Sequence, residues 1–329
     1  MLKTKYLGLE LKNPIIIGAS EMTSNVDKIK RLEEAGAAAI VTKSLFEEEI
    51  LLKNNKWREE LTRYDEIHAE MTNLFPEMDV DAAETHLYWV NKTKEAVSIP
   101  VIASLNCVNK STWVEYAKKL EEAGADAIEA NMYSYSFGVT KNPAEIEDKR
   151  INILKEIKKV VNIPVSIKIS PHYTSIFTFV TNLDQAGVDG VVLFNRLFNP
   201  DIDIEKEVEV SRFQLTDSSR NGSSLRWIGL LSGKVDLDLC ANNGVATGED
   251  MIKMILAGAS AVEVVSTIYK NGMGQIGVME KTLIEWMERK GYNSIDEFKG
   301  KLSKVNINNP WAYERTQYIK MLLKGEYEI

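Results

Sequence analysis

Residues 239–267 read LCANNGVATGEDMIKMILAGASAVEVVST. An apolar strand, Leu239 to Ala241, runs into a small polar turn, Asn242-Asn243-Gly244. A helix begins near Thr247 to Asp250 and closes on Ala257-Gly258; a second apolar strand, Ala261 to Val265, stops at Ser266-Thr267. Each strand ends in backbone N–H groups and small side chains, so nothing bulky blocks close approach. Two such ends side by side make a candidate phosphate site. Taken singly, the first end is an ordinary turn and the second a helix cap. Their occurrence at consecutive strand ends favours an anion.

The unit recurs. Leu-Glu-Glu-Ala-Gly-Ala stands at 32–37 and again at 120–125, with looser copies at 183–188 (LDQAGV) and 255–259 (ILAGA). In each copy a helix ends on Ala-Gly, where glycine takes the left-handed cap conformation, and an apolar strand follows within about three residues. Apolar stretches at 14–19, 38–43, 100–105, 127–132, 164–169, 190–195, 236–241 and 261–265 give eight strands, near-continuous in the manner of strands buried on both faces. Amphipathic helical patterns occupy the gaps, notably 111–123, 142–161 and 273–290. The expected fold is α/β, a (β/α)8 TIM barrel forming one domain over residues 1–329. A hairpin over residues 3–13 precedes it, and residues 44–83 and 196–225 are too long for simple crossovers, so they are insertions after strands 2 and 6. A helical extension follows from about residue 309.

The formal charge of −8, with no Lys/Arg block that outweighs its acidic neighbours, argues against a nucleic-acid partner and for a small-molecule one. The two cysteines, Cys107 and Cys240, lack CxxC spacing, and the three histidines are scattered, so no iron–sulfur or zinc centre is expected. Nothing at the start of the chain reads as a signal peptide or a membrane span, and a reducing cytoplasm fits.

In such a barrel function gathers at the carboxyl ends of the strands. Those ends carry Ala19-Ser20, Lys43-Ser44, Asn106, Asn131 with Ser134, Lys168, Asn195, Asn243-Gly244 and Ser266-Thr267. A lysine there serves as a Schiff-base nucleophile, a phosphate clamp or a positive charge beneath a cofactor. Asparagines suit a ligand edge with alternating donors and acceptors, such as a flavin or a pyrimidine.

The order and spacing of NPIIIGAS (13–20), VTKS (41–44), SLNCVNK (104–110), EANMYS (129–134), VSIKIS (165–170), VVLFN (191–195), NNGVATGED (242–250) and VVSTIYKNG (264–272) resemble the dihydroorotate dehydrogenase family of FMN barrels, from about residue 3 to residue 303. The resemblance implies an oxidoreductase acting on a CH–CH bond, with FMN as cofactor and dihydroorotate as substrate. Ala19 and Ser20 would border the flavin, and Lys43 the flavin and substrate; Asn106 and Asn131 would bond flavin or substrate, and Asn195 the substrate. Lys168 would stabilise the anion of reduced flavin. Gly222 and Ser223 would pass close to the cofactor, and Asn243, Gly244, Ser266 and Thr267 would hold its phosphate. The loop base that removes the substrate proton would be Ser134. The resemblance also implies a homodimer, and among the oxidants it allows is NAD through a separate electron-transfer subunit.

Two segments depart from the family pattern. Tyr135-Ser136 replace Pro-Asn after the base, and Ala69-Glu70-Met71-Thr72 stand for an Asn-Ser-Met-Gly segment over the substrate. An altered substrate, another dihydropyrimidine or an enoyl-type acid, is the first alternative. A flavin-free phosphate-binding lyase or aldolase using Lys168 or Lys43 is the second, and a flavin-binding protein without turnover the third.

Overall fold

Glycine stands wherever the repeat ends a helix, with φ of +111° at Gly36, +93° at Gly124, +78° at Gly187 and +125° at Gly258. The computed structural model describes residues 1–47, 82–106, 109–132, 142–196, 200–211, 215–308 and 313. A two-residue turn at Leu7-Gly8 joins β1 (Thr4–Tyr6) to β2 (Leu9–Leu11). The chain then alternates strand and helix: β3 (Ile15–Ile17), α1 (Val26–Glu34), β4 (Ala39–Val41), β5 (Leu45–Phe46), α2 (Ala82–Ala96), β6 (Val101–Asn106), α3 (Lys110–Glu122), β7 (Ala127–Asn131) and α4 (Pro143–Val160). It continues through β8 (Val165–Ile169), α5 (Ile176–Gln185), β9 (Gly190–Leu193), β10 (Pro200–Asp203), β11 (Val208–Ser211), α6 (Gly222–Leu231), β12 (Asp238–Ala241), α7 (Gly248–Ala257), β13 (Ala261–Val264), α8 (Ser266–Asn271) and α9 (Gln275–Lys290).

All eight expected barrel strands are present, each within two or three residues of its expected bounds. They pair in parallel in the order β4-β3-β13-β12-β9-β8-β7-β6, and β6 pairs back onto β4, closing the sheet into a (β/α)8 barrel. The short β5 continues the line of β4 along β6. The insertion after the sixth strand contains the antiparallel pair β10–β11. Most of the insertion after the second strand, residues 48–81, lies outside the described residues, as does the extension from 309 apart from Tyr313.

The repeat's acidic residues explain how the amino-terminal face is tied. Glu33, Glu121 and Asp184 occupy one position of the repeat, and each accepts backbone N–H groups from the loop that enters the neighbouring strand. Glu33 takes Ser98 N at 2.9 Å before β6, Glu121 takes Asn162 N at 2.7 Å before β8, and Asp184 takes Leu237 N at 2.9 Å before β12. Asp126 and Asp189, also equivalent, accept Val101 N and Val165 N at 2.7 Å, and each pairs with a lysine from the last turn of a preceding helix: Lys94 at 2.6 Å and Lys158 at 2.5 Å.

Inside the barrel, side chains alternate inward with a period of two. The hairpin plugs the lower end: Tyr6, Leu7 and Leu11 pack with Val41, Ile102, Ala127, Val192, Cys240 and Ala261 in one apolar layer. Two residues further along stand Glu129 on β7, Glu263 on β13 and Asn242 just past β12, so the layer above the floor is polar.

Candidate functional site

At the carboxyl ends of the strands a cavity of about 630 Å³ opens above this polar layer. Of the residues expected at the mouth, Ala19, Ser20, Lys43, Asn131, Lys168, Asn195, Asn243, Gly244 and Ser266 all line it. Asn106 is buried at the end of β6 and stands outside the lining. Thr267 is also outside it. Its hydroxyl donates to Ala246 O at 2.7 Å and accepts from Asn271 Nδ2 at 3.1 Å, so its side chain serves the turn. Gly222 opens α6 outside the lining and is exposed, with nothing within 4 Å of where its Cβ would stand. Ser223 beside it is exposed. Ser134, Tyr135, Ser136 and the segment Ala69–Thr72 lie outside the described residues.

The turn after β12 is held firmly. Asn243 and Gly244 have φ of +68° and +88°, and a Cβ on Gly244 would stand 2.6 Å from Asn221 N and 2.8 Å from Asp217 O. Asp250 fixes the two backbones at this distance: its carboxylate accepts Asn221 Nδ2 at 2.8 Å, Ser218 Oγ at 2.5 Å and Ala246 N at 3.1 Å. Thr247 and Asp250 also form the capping box that starts α7. Asn243 lines the cavity, and its buried Oδ1 has no hydrogen-bond partner. Across the turn, Ser266 Oγ accepts from Thr216 N at 3.1 Å.

Past the end of β9, the neighbour of β12, Asn195 Nδ2 donates to Asn131 Oδ1 at the end of β7 at 2.7 Å, which fixes the orientation of both amides and leaves a donor on Asn131 and an acceptor on Asn195. Lys43 pairs with Glu21 at 2.5 Å on the rim, and this bond holds the Glu21 carboxyl below its usual range. Arg196, at the other rim, is shifted below the usual guanidinium range by burial and by the like charge of Arg220.

Lys168 is the buried charge of the site. Its Nζ lies 2.5 Å from Glu263 Oε2 and 3.5 Å from Glu129 Oε1. Burial alone would favour the neutral amine, but the two carboxylates outweigh it and raise its pKa, so it stays an ammonium. Glu129 is pushed well above the carboxylate range, first by burial and then by the charge of Glu263. Lys168 is therefore not an isolated cation, as its strand-end position alone suggests. The glutamates escape a reading confined to strand ends, but AIEAN (127–131) and AVEVV (261–265) carry the signal: a carboxylate inside an apolar strand run is buried and needs a partner.

The sequence profile of the family described as dihydroorotate dehydrogenase matches residues 1–287. The chain belongs to the dihydroorotate dehydrogenase family. Among its curated relatives, the dihydroorotate dehydrogenase B (NAD(+)) catalytic subunit of Methanocaldococcus jannaschii is 30% identical over 286 residues, which cover 83% of this chain and 89% of the relative. The protein of the same name from Thermoplasma volcanium is 29% identical over 313 residues, covering 91% of this chain and 97% of the relative. That from Pyrococcus furiosus is 25% identical over 312 residues, with 92% and 99% covered. The barrel, its amino-terminal hairpin and its polar mouth are thus those of a flavoenzyme family of oxidoreductases. Among the described residues no helix is long and apolar enough to cross a membrane.

Proposed function

We propose that this chain is an FMN-dependent dehydrogenase that oxidises dihydroorotate to orotate in pyrimidine biosynthesis. The observation that carries the reading is one cavity that joins a glycine-tight turn at Asn243-Gly244 to a buried ammonium, Lys168, and a fixed amide pair, Asn131 and Asn195. Its volume of about 630 Å³ lies within the range of cofactor sites. The residues fit FMN in the chemistry of the lining: Lys168 offers a buried positive charge, Asn131 and Asn195 a donor and an acceptor, and Ser20 and Ser266 hydroxyls near the small-residue turn at Asn243-Gly244.

FMN, when bound, supplies the acceptor for a hydride. Asn243, Gly244, Ser266, Gly222 and Ser223 would hold its phosphate end, with Thr267 contributing its backbone alone, and Ala19, Ser20 and Asn106 would support the ring. Lys168 would supply positive charge, and Asn131 and Asn195 would present a donor and an acceptor to a pyrimidine edge. Lys43 on the rim would face the substrate carboxylate. Ser134 is the proposed base, and since serine is a poor base its proton must pass to a neighbour or to water.

A Schiff-base lysine needs a neutral amine near neutral pH. Lys168 is held in the opposite state and Lys43 is engaged by Glu21, which weighs against the lyase reading. The relatives' description as NAD(+) enzymes and catalytic subunits supports a separate electron-transfer subunit as partner. We place the protein in the cytoplasm, as a homodimer of single-domain barrels.

The test is the anaerobic visible spectrum of purified protein before and after dihydroorotate. A flavin band that bleaches within the mixing time supports both cofactor and substrate. A band that fails to bleach moves the substrate to another dihydropyrimidine or an enoyl-type acid, and no band after reconstitution with FMN overturns the cofactor.

A further inference from the structure

Glu129, Lys168 and Glu263 bring three ionisable groups into the barrel interior at 1%, 6% and 1% exposure. Two carboxyls address one ammonium, at 2.5 Å and 3.5 Å. Glu263 Oε2 also receives Asn242 Nδ2 at 3.2 Å, and its chain lies against Gly18, where a Cβ would stand 3.0 Å from that oxygen. Glu129 Oε1 receives no hydrogen bond. The other ionisable groups that bear on the cluster are Tyr6 from β1 below, and Cys240 and Asp238 from β12, none of which adds positive charge. One ammonium matches one carboxylate. A second carboxylate in the same apolar shell would be an uncompensated buried anion, which proteins avoid by neutralising the group.

We propose that Glu129 and Glu263 hold a single proton between them, so that the cluster around Lys168 is neutral and forms an adjustable counter-charge beneath the cofactor. The redox consequence rests on the FMN reading; the shared proton does not. Both glutamates are positioning residues acting through Lys168. Replacing either by glutamine leaves the other as the ionised partner of Lys168, with net charge unchanged, and the shared proton is lost. Replacing both leaves Lys168 unmatched and the layer one charge more positive.

Two measurements test this. In infrared spectra of the protein at neutral pH, the wild type shows a protonated-carboxyl C=O band that shifts in D2O, and this band is lost in E129Q and equally in E263Q. Absence of the band in the wild type, or its survival in either single variant, overturns the proposal; this measurement needs no flavin. In reductive titrations of FMN-loaded protein with dithionite, each single variant keeps its reduced-to-oxidised ratio within about threefold of the wild type at a given potential. The double variant, E129Q/E263Q, favours reduced flavin by about tenfold or more, about 30 mV for a two-electron couple. Single-variant shifts that sum to that of the double would mean that both carboxylates are ionised independently, and would refute the sharing. Should the double variant not fold, the infrared spectra of the two single variants still decide. Failure to bind FMN would count against the proposed function and leave the infrared result standing.

Discussion

The turn after β12 can be probed with two glycine substitutions whose effects should separate stability from cofactor affinity. Gly244 has φ of +88°, a region that costs an L-residue about 1–2 kcal/mol. Its Cβ would also overlap backbone at 2.6 Å (Asn221 N), 2.8 Å (Asp217 O) and 2.9 Å (Arg220 C). Backbone cannot swing aside as a side-chain tip can, and the 217–221 turn is pinned by Asp250. Relief by local displacement costs about 1–3 kcal/mol more. G244A should therefore lose about 2–5 kcal/mol in urea unfolding followed by circular dichroism, with unchanged m-value. Gly222 gives the contrast. It lies at the first position of α6 with nothing of the protein within 4 Å of its Cβ, so G222A should keep wild-type stability within about 0.5 kcal/mol. If that open space belongs to FMN, the methyl group weakens binding, read by quenching of flavin fluorescence on apoprotein, by about tenfold, or about 1.4 kcal/mol. A G244A protein with wild-type midpoint and affinity, or a G222A protein that is destabilised but binds FMN normally, would refute this account of the turn.

Three further outcomes follow from buried charges. His86, in α2, has its pKa lowered from 6.5 to about 4 by burial and then by the charge of Lys43. The unfolded chain takes up this proton below pH 6.5 and the folded chain does not, so the stabilisation is complete above that pH and fades by about 3 kcal/mol towards pH 4. H86L should flatten that part of the stability profile, and equal acid sensitivity of variant and wild type in urea melts would count against it. Lys168→Met removes the counter-ion of Glu129 and Glu263, whose carboxyls then bind protons more tightly folded than unfolded. Stability is therefore retained at low pH and lost as pH rises, with a deficit of about 3–5 kcal/mol by pH 8 that shrinks towards pH 5; a pH-independent deficit would sink the prediction. Asp126→Ala leaves the Val101 N–H at the entry to β6 without its acceptor and should cost about 1–3 kcal/mol while sparing FMN affinity, checked by thermal melts and flavin titration together.

Most of the barrel was legible because its strands are buried on both faces and its helices end on Ala-Gly, so apolar runs and glycines mark every unit. Strand-end position was enough to gather most of the expected residues around one cavity, but not to say which way each side chain turns. Thr267 illustrates this: its hydroxyl is spent on Ala246 O and Asn271, a choice made by the turn geometry and not by the sequence Ser-Thr. The β10–β11 pair escaped notice for a different reason. Residues 201–204 (DIDI) and 207–210 (EVEV) do alternate polar and apolar residues, but Ile202 and Val208 are 63% and 48% exposed, so the alternation marks a surface ribbon and not a strand of the core. Glu129 and Glu263 were visible as letters but lie two and one residues inside their strand ends, and attention to the mouth alone passes over them.

The two ends of the barrel use acidic residues in opposite ways. At the amino-terminal face Glu33, Glu121 and Asp184 meet main-chain N–H groups, donors that no side-chain substitution elsewhere removes, and Asp126 and Asp189 add lysines that can still reach water. In the interior Glu129 and Glu263 find one ammonium and one amide between them, and Glu129 Oε1, 3.5 Å from that ammonium, accepts no hydrogen bond. Charge there is short by one donor, so protonation becomes the variable that balances it. Substitutions at the lower face should therefore move stability and leave a bound flavin's potential unchanged, whereas removing both interior carboxyls together should move the potential through Lys168. A lower-face variant such as D126A that shifts the flavin potential would show that this separation between the two ends does not hold.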